Sequence, residues 1–270
     1  MIRQPFYKNT YTRIRKRQGN MNSYEDFLKK RKEIGSGMAA KVYSYNGFAY
    51  KCFREDYPKE WIDYEYNIQQ EIMKSNLLIP CYYKSEFPNS IKMDLVKGIS
   101  MYDRMPEVGK DVVLEEMMTW FEKIHQVKGL NLPPVVNDMH DTLKAAPVTD
   151  EEKELAIKCL SSVESEINEP DVLCHMDYHF LNVMYEENGI HIIDWTNAKS
   201  GKAIWDYART YVIFYEYAAG MKTKYLKEVL RRADYPKESF MKAVYVSAVL
   251  RLTEHDTKRT RQLVSNALIM

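Results

Sequence analysis

No apolar run in the 270 residues approaches the roughly 20 that a membrane-spanning helix needs. The start of the chain also lacks the apolar core of a secretion signal, so the sequence reads as a soluble, cytoplasmic protein. Cysteine is scarce. The four present, Cys52, Cys81, Cys159 and Cys174, form no Cys-x-x-Cys pair and have no histidine at metal-site spacing. A disulfide framework and a zinc ribbon are thereby excluded, and reduced thiols are expected. Charge of either sign is not in excess: 39 Lys and Arg against 38 Asp and Glu leave a net charge of +1. Such a balance gives no general attraction to nucleic acid or to an anionic membrane. There is no internal repeat and no low-complexity segment.

What is present is globular in composition, 45% hydrophobic and 29% charged, and long enough for one large domain or two lobes. Residues 1–32 are a basic extension, with Arg13-Ile14-Arg15-Lys16-Arg17 and the interleaved Tyr7 and Tyr11. A solvated, disordered tail is the expected reading there, ahead of a nucleic-acid arm.

The chemistry is concentrated between Leu173 and Trp195, LCHMDYHFLNVMYEENGIHIIDW. Val183–Tyr185 and Ile190–Ile193 are apolar strand-like runs separated by Glu186-Glu187-Asn188-Gly189, a hairpin signal. Asp177 and Asn182 precede the first strand and Asp194 ends the second, so three oxygen-bearing side chains can converge at one edge. Oxygen ligands suit magnesium and phosphate. The order His175, Asp177, Asn182, then Asp194 after a short hairpin is the layout of the protein-kinase catalytic loop.

The stretch resembles the aminoglycoside phosphotransferase and choline kinase-like family more closely than the protein kinases. The resemblance lies in His175-x-Asp177-x-His179-x-x-Asn182, in Ile193-Asp194-Trp195 where a protein kinase has Asp-Phe-Gly, and in Gly201 followed by Asp206-Tyr-Ala-Arg209-Thr. It implies that Asp177 receives the proton of the attacking hydroxyl, that Asn182 and Asp194 hold Mg²⁺, and that His175, His179, Asp206 and Arg209 support the loop.

Upstream, Glu33-Ile34-Gly35-Ser36-Gly37-Met38-Ala39-Ala40-Lys41-Val42 resembles the glycine-rich loop of kinases, with Ala40 in place of its third glycine. Gly35, Ser36 and Gly37 would let backbone N–H groups approach phosphate, and Val42 and Ala49 belong to the same expected nucleotide site. Asn46-Gly47 marks a two-residue turn between strands at Lys41–Tyr45 and Phe48–Phe53. The period of two puts Ala49, Lys51 and Phe53 on one face, where a lysine needs a partner. The resemblance makes Lys51 the phosphate-binding lysine, paired with a glutamate on the next helix, near 61–75. There Trp61, Glu65, Ile68 and Ile72 form one stripe, which favours Glu65 over Glu71. Ile91 to Gly98 resembles the hinge between lobes, with Met93, Asp94 and Val96 at the adenine edge; from the residues alone it is an edge strand and a turn.

Amphipathic patterning places helices near 111–127, 137–145 and 150–167, the last capped by Thr149 with Glu152 three residues on, and another near 237–254. His125, near the end of the first of these, is expected to be structural. Tyr207, Tyr211 and Tyr215 recur every fourth residue, a spacing that is core far more often than an aromatic box for a quaternary ammonium. Glu216 and Glu254 are candidates for negative charge in a cationic substrate's pocket.

The resemblance covers residues 33 to about 255 and implies an α+β, protein kinase-like two-lobe fold. An N-lobe over 33–97 would carry a small antiparallel sheet with one helix, and a C-lobe over 98–270 would be larger and mostly helical. The implied activity is transfer of the γ-phosphoryl group of ATP, or GTP, with Mg²⁺, to a hydroxyl of a small molecule: aminoglycoside, choline-like or sugar-like. Two rivals are weaker. A protein Ser/Thr kinase would need an activation segment, but no Ala-Pro-Glu follows Asp194 and only twelve positions separate it from Asp206. A pseudokinase-type regulator would lack the lysine, the base or a metal ligand, and here each such position is filled.

Overall fold

The computed structural model describes residues 23–267, so the basic run and the tyrosines at 7 and 11 lie outside the described residues. The chain divides into two compact units. One comprises the described residues up to Gln70 together with Pro80–Lys97, and the other Glu71–Ile79 with everything from Gly98 onward.

In the first unit, five antiparallel strands run β1 (Lys32–Ser36), β2 (Ala40–Tyr45), β3 (Phe48–Phe53), β4 (Tyr82–Lys84) and β5 (Ser90–Asp94), in the spatial order β1-β2-β3-β5-β4. β2 and β3 meet at Asn46-Gly47, both at positive φ (46° and 81°), the backbone that a tight two-residue hairpin requires. β5 is not the edge strand the residues suggested: it pairs with β3 on one side and β4 on the other. A helix over 23–30, α1, belongs to this unit, so the last third of the expected tail is ordered although most of its side chains stay exposed. It seats Phe27 (1% exposed) among Tyr50, Phe87 and Tyr45 on one face of the sheet. Helix α2 (Lys59–Ile72) lines the unit's other core, with Ile62 against Ala40, Phe53, Tyr82 and Ile91. The buried stripe of α2 starts at Ile62 and continues through Glu65, Ile68, Gln69 and Ile72, while Trp61 is 55% exposed. A Trp61 start would rotate the stripe by a residue and strand Ile62 in water.

The second unit is mostly helical. Strand β6 (Ile99–Ser100) leads into α3 (Met101–Val108) and α4 (Lys110–His125), followed by α5 (Met139–Lys144), α6 (Asp150–Glu166) and strand β7 (Val172–Cys174). A single 3₁₀ turn (Phe180–Asn182), the hairpin β8 (Val183–Glu186) and β9 (Gly189–Ile192), and β10 (Lys199–Gly201) come next, then α7 (Ala203–Tyr217), α8 (Lys222–Ala233), α9 (Lys237–Glu254) and α10 (Lys258–Ala267). Thr149 and Glu152 form the expected capping box on α6. α3 was not foreseen, because Pro106 lies within it; its signal is Ser100, whose hydroxyl accepts from Asp103 N at 3.0 Å. α9 is buried on nearly every side and so shows little amphipathic pattern. No helix among the described residues is long and apolar enough to cross a membrane.

Two local contacts explain why 71–79 goes with this unit: Asn131 N donates to Glu71 Oε1 at 2.8 Å, and Ile192 N to Leu78 O at 3.1 Å. β6 lies against β8, and there Gly98 passes so close that a Cβ would fall 1.7 Å from Tyr185 O. Only glycine fits such an approach.

Candidate active site

In the second unit, β8 and β9 form a ribbon whose pairing starts at Val183↔Ile192. One residue further, Ile193 N donates to Asn182 O at 3.0 Å, which holds Asn182 and the neighbouring Asp194 at the same end of the ribbon. Asn182 Nδ2 donates to Asp177 O at 2.9 Å. That bond brings Asp177 to the same place and leaves the amide's carbonyl as the end of Asn182 suited to a cation. Asp194 accepts from Thr196 Oγ1 at 3.0 Å and adopts a left-handed backbone, φ 61°. Asp177, Asn182 and Asp194 are thus brought together as a set of hard oxygen donors. Such a set fits Mg²⁺ far better than a soft, thiophilic metal.

The loop bearing Asp177 is held from beneath by buried groups. Asp206, fully buried on α7, accepts from His175 N at 2.7 Å and Met176 N at 2.8 Å. His125 Nε2 donates to the same carboxylate at 3.1 Å. Met176 sits at φ 61°, a costly conformation for a non-glycine residue, on the order of 1 kcal/mol or more, and the Asp206 bond fixes it there. His175 is buried between Tyr178 and Trp195; its Nε2–H donates to Ile193 O at 3.0 Å, and its Nδ1 accepts from Asp177 N at 3.3 Å. One imidazole therefore ties the loop to the strand end that carries Asp194. His179 caps the 3₁₀ turn, its Nδ1 accepting from Leu181 N, and its Nε2 is 3.8 Å from Asp177 Oδ2. Burial, joined by the neighbouring His175 and then by Arg251, holds the His179 imidazole below its ordinary pKa, against the pull of Asp177 and Asp194.

His125, Cys174 and Asp206 lie close enough together to suggest a metal site. Their bonds argue otherwise. Asp206 is saturated by three donors, and the Cys174 thiol points at Gly201 O (3.5 Å) with its pKa pushed well up by burial and by Asp206. A protonated thiol is a poor ligand.

In the first unit, Lys51 Nζ lies 2.8 Å from Glu65 Oε1, and the two side chains are only 17% and 4% exposed. Glu71 bonds instead to Lys74 and Asn131 N, so the helix glutamate facing Lys51 is Glu65. Tyr82, which the sequence did not flag, adds a 3.4 Å contact from its hydroxyl to Glu65. Gly35 and Ser36 lie in β1, opposite Val42 and Lys41, and Gly37 N closes the following turn on Ala40 O at 2.9 Å. Neither glycine has positive φ, and a Cβ on Gly37 would meet nothing nearer than 3.7 Å. Ala49 and Met93 pair across β3 and β5, and Asp94 accepts from Cys81 N and the Tyr83 hydroxyl, both at 3.0 Å. Val96 follows β5 outside any strand.

Several expectations need correction. Arg209 is not bonded to the loop: its guanidinium pairs with Glu254, because α7 turns it toward α9. Glu216 offers no charge to a ligand. It is buried and accepts from Arg251 (2.9 Å), Thr257 (2.8 Å) and Thr260 (2.7 Å). Burial alone would raise its pKa, but these donors outweigh it and bring the value below the usual range. Glu254 is already shared by two arginines. Tyr207 and Tyr211 are core residues, and Tyr215 stands under the Lys222 ammonium.

Residues 107–240 match the family described as the phosphotransferase enzyme family. That segment carries the whole catalytic-loop constellation. Solved structures agree on the fold. The chain is similar to aminoglycoside phosphotransferase APH(4)-Ia at 14% identity and TM-score 0.65, over 92% of this chain and 97% of that one. A choline/ethanolamine kinase family protein from Mesorhizobium loti aligns at 11% identity and TM-score 0.59, over 93% and 92%. APH(2")-IIa, solved as a ternary complex with streptomycin and ATP, aligns at 15% identity and TM-score 0.56, over 92% and 96%. Among curated proteins, sequence comparison finds no match. The fold is protein kinase-like, and the phosphotransferase match with it supports a small-molecule kinase.

Proposed function

We propose that the protein transfers the γ-phosphoryl group of ATP, or GTP, to a hydroxyl of a small molecule. The observation that carries this reading is the gathering of Asp177, Asn182 and Asp194 at one end of a ribbon, with the loop that bears Asp177 pinned by Asp206. Transfer through a loose transition state asks a protein for placement and charge neutralisation more than for covalent chemistry. When bound, Mg²⁺ and the nucleotide supply the electrophilic phosphorus and the neutralising charge.

Asp177 orients the acceptor hydroxyl and takes its proton; at 27% side-chain exposure the carboxylate is within reach of a ligand. Asn182 and Asp194 hold the metal through oxygen. Lys51, kept in place by Glu65, binds phosphate oxygens, and Gly35 to Gly37 line them with backbone N–H groups. The fold itself does not require glycine at 37, which supports close approach of a ligand as the reason for it. Val42, Ala49, Met93, Asp94 and Val96 take the base. Related folds have been solved with AMP-PNP and hygromycin B and with streptomycin and ATP, which supports a nucleotide plus a hydroxyl-bearing acceptor.

The test is a melting curve with Mg²⁺ and ATP, followed by ADP release across a panel of hydroxyl compounds. The nucleotide should raise Tm, and one class of acceptor should stimulate ADP release. Asp177→Ala should lower that stimulated rate by a factor of about 10² to 10⁴ while the Tm shift persists. An unchanged rate in that variant sinks the proposal.

A further inference from the structure

Where α7, α9 and α10 meet, three arginines surround two carboxylates. Arg251 Nε is 2.9 Å from Glu216 Oε2 and Arg251 Nη1 3.1 Å from Glu254 Oε2, while Arg259 Nη1 donates to the Glu216 carbonyl at 2.5 Å. Arg209 reaches Glu254 Oε2 through Nη2. Glu216 is fully engaged by Arg251, Thr257 and Thr260, so it has nothing to offer a visiting cation. Glu254 differs: its side chain is 49% exposed, and it is the one acid here that can swing away.

Arg209 is only 6% exposed, yet its Nε has no hydrogen-bond partner. Nε and Nη2 form one edge of the guanidinium, built to take two oxygens of one oxyanion at once. At present a single oxygen of Glu254 fills half of that edge. A buried donor left unmade is costly and rare enough to ask for a ligand.

The cluster borders the catalytic loop. Thr210, next to Arg209, donates from Oγ1 to Tyr178 O at 2.9 Å, and Asp206, one turn earlier on α7, holds His175 and Met176.

On the phosphotransferase reading, we propose that the acceptor is a hydroxyl compound bearing an oxyanion, carboxylate or phosphate, which Arg209 and Arg251 bind as Glu254 swings aside. A polycationic acceptor would meet three guanidinium groups there. The site selects acceptors by charge and leaves phosphoryl transfer to the loop.

Inorganic phosphate is the probe, added to protein already saturated with Mg²⁺ and AMP-PNP so that nucleotide phosphate sites are filled. Phosphate should raise Tm further in the unaltered protein. In Glu254→Gln, which alters only a half-exposed side chain, the midpoint should fall about tenfold, since a competing carboxylate is gone. In Arg251→Gln the phosphate shift should vanish. No shift in either the unaltered protein or Glu254→Gln overturns the proposal, as does an equal shift in Arg251→Gln, which would mean an adventitious ion only. Failure of Mg²⁺ and AMP-PNP to raise Tm is read separately: it overturns the phosphotransferase reading, and the acceptor role with it.

Discussion

Lys51, on a strand, pairs with a carboxylate from a neighbouring helix, whereas Asp177 rides on a loop whose backbone is bonded to buried side chains at His175, Met176 and Asp177. The first arrangement is a side-chain pair that can be remade with a ligand present. In the second, main-chain geometry is fixed before any ligand arrives, and Met176 stays in a left-handed conformation because Asp206 holds it. Preorganisation of this kind belongs where a proton must be taken from a defined direction.

Asp206→Asn tests the fixed side of that contrast. One amide N–H would face backbone donors, and breaking so buried an arrangement should cost about 3–5 kcal/mol in chemical denaturation. Turnover should fall with it. Glu65→Gln tests the adjustable side. The Lys51 contact weakens without stranding a bare carboxylate, so KM for ATP should rise about tenfold while stability changes by roughly 1 kcal/mol. If Glu65→Gln proves as destabilising as Asp206→Asn, the contrast is wrong.

A smaller effect is expected at Glu216. Its folded pKa lies below the unfolded carboxylate value, so its ionised form stabilises the fold above about pH 4.3, and that contribution is lost as pH falls through this value toward the lower folded one. Glu216→Gln should flatten the acid limb of a stability profile between about pH 5 and 3 and leave Asp206-dependent stability intact. Smallest of all, Gly37→Ala should shift stability by no more than about 0.5 kcal/mol, since its Cβ makes only an ordinary van der Waals contact, yet raise KM for ATP.

The sequence carried the ribbon and its three oxygen-bearing residues because all of them sit within one local stretch, where spacing alone sets the geometry. The Asn-Gly turn and the Thr149 capping box were legible for the same reason. Long-range partners were not. Arg209 meets Glu254 and Arg251 meets Glu216 across 45 and 35 positions, and nothing periodic announces such pairs. The stripe on α2 was misread by one residue because tryptophan looks like core; here it is Ile62 that meets the sheet. Phe27 was hidden inside a charge-rich segment, and only tertiary packing distinguishes an anchoring ring, here joined by Tyr24, from an ordinary tail residue.

Strand β8 begins beside Asn182 and ends near Tyr185, whose carbonyl stands where any Cβ on Gly98 would fall. A methyl group at 98 would therefore push on the far end of the rod that carries the amide. In a library with every amino acid at that position, survivors of a growth or activity screen should retain glycine, and their rare exceptions should carry compensating changes around 184–186.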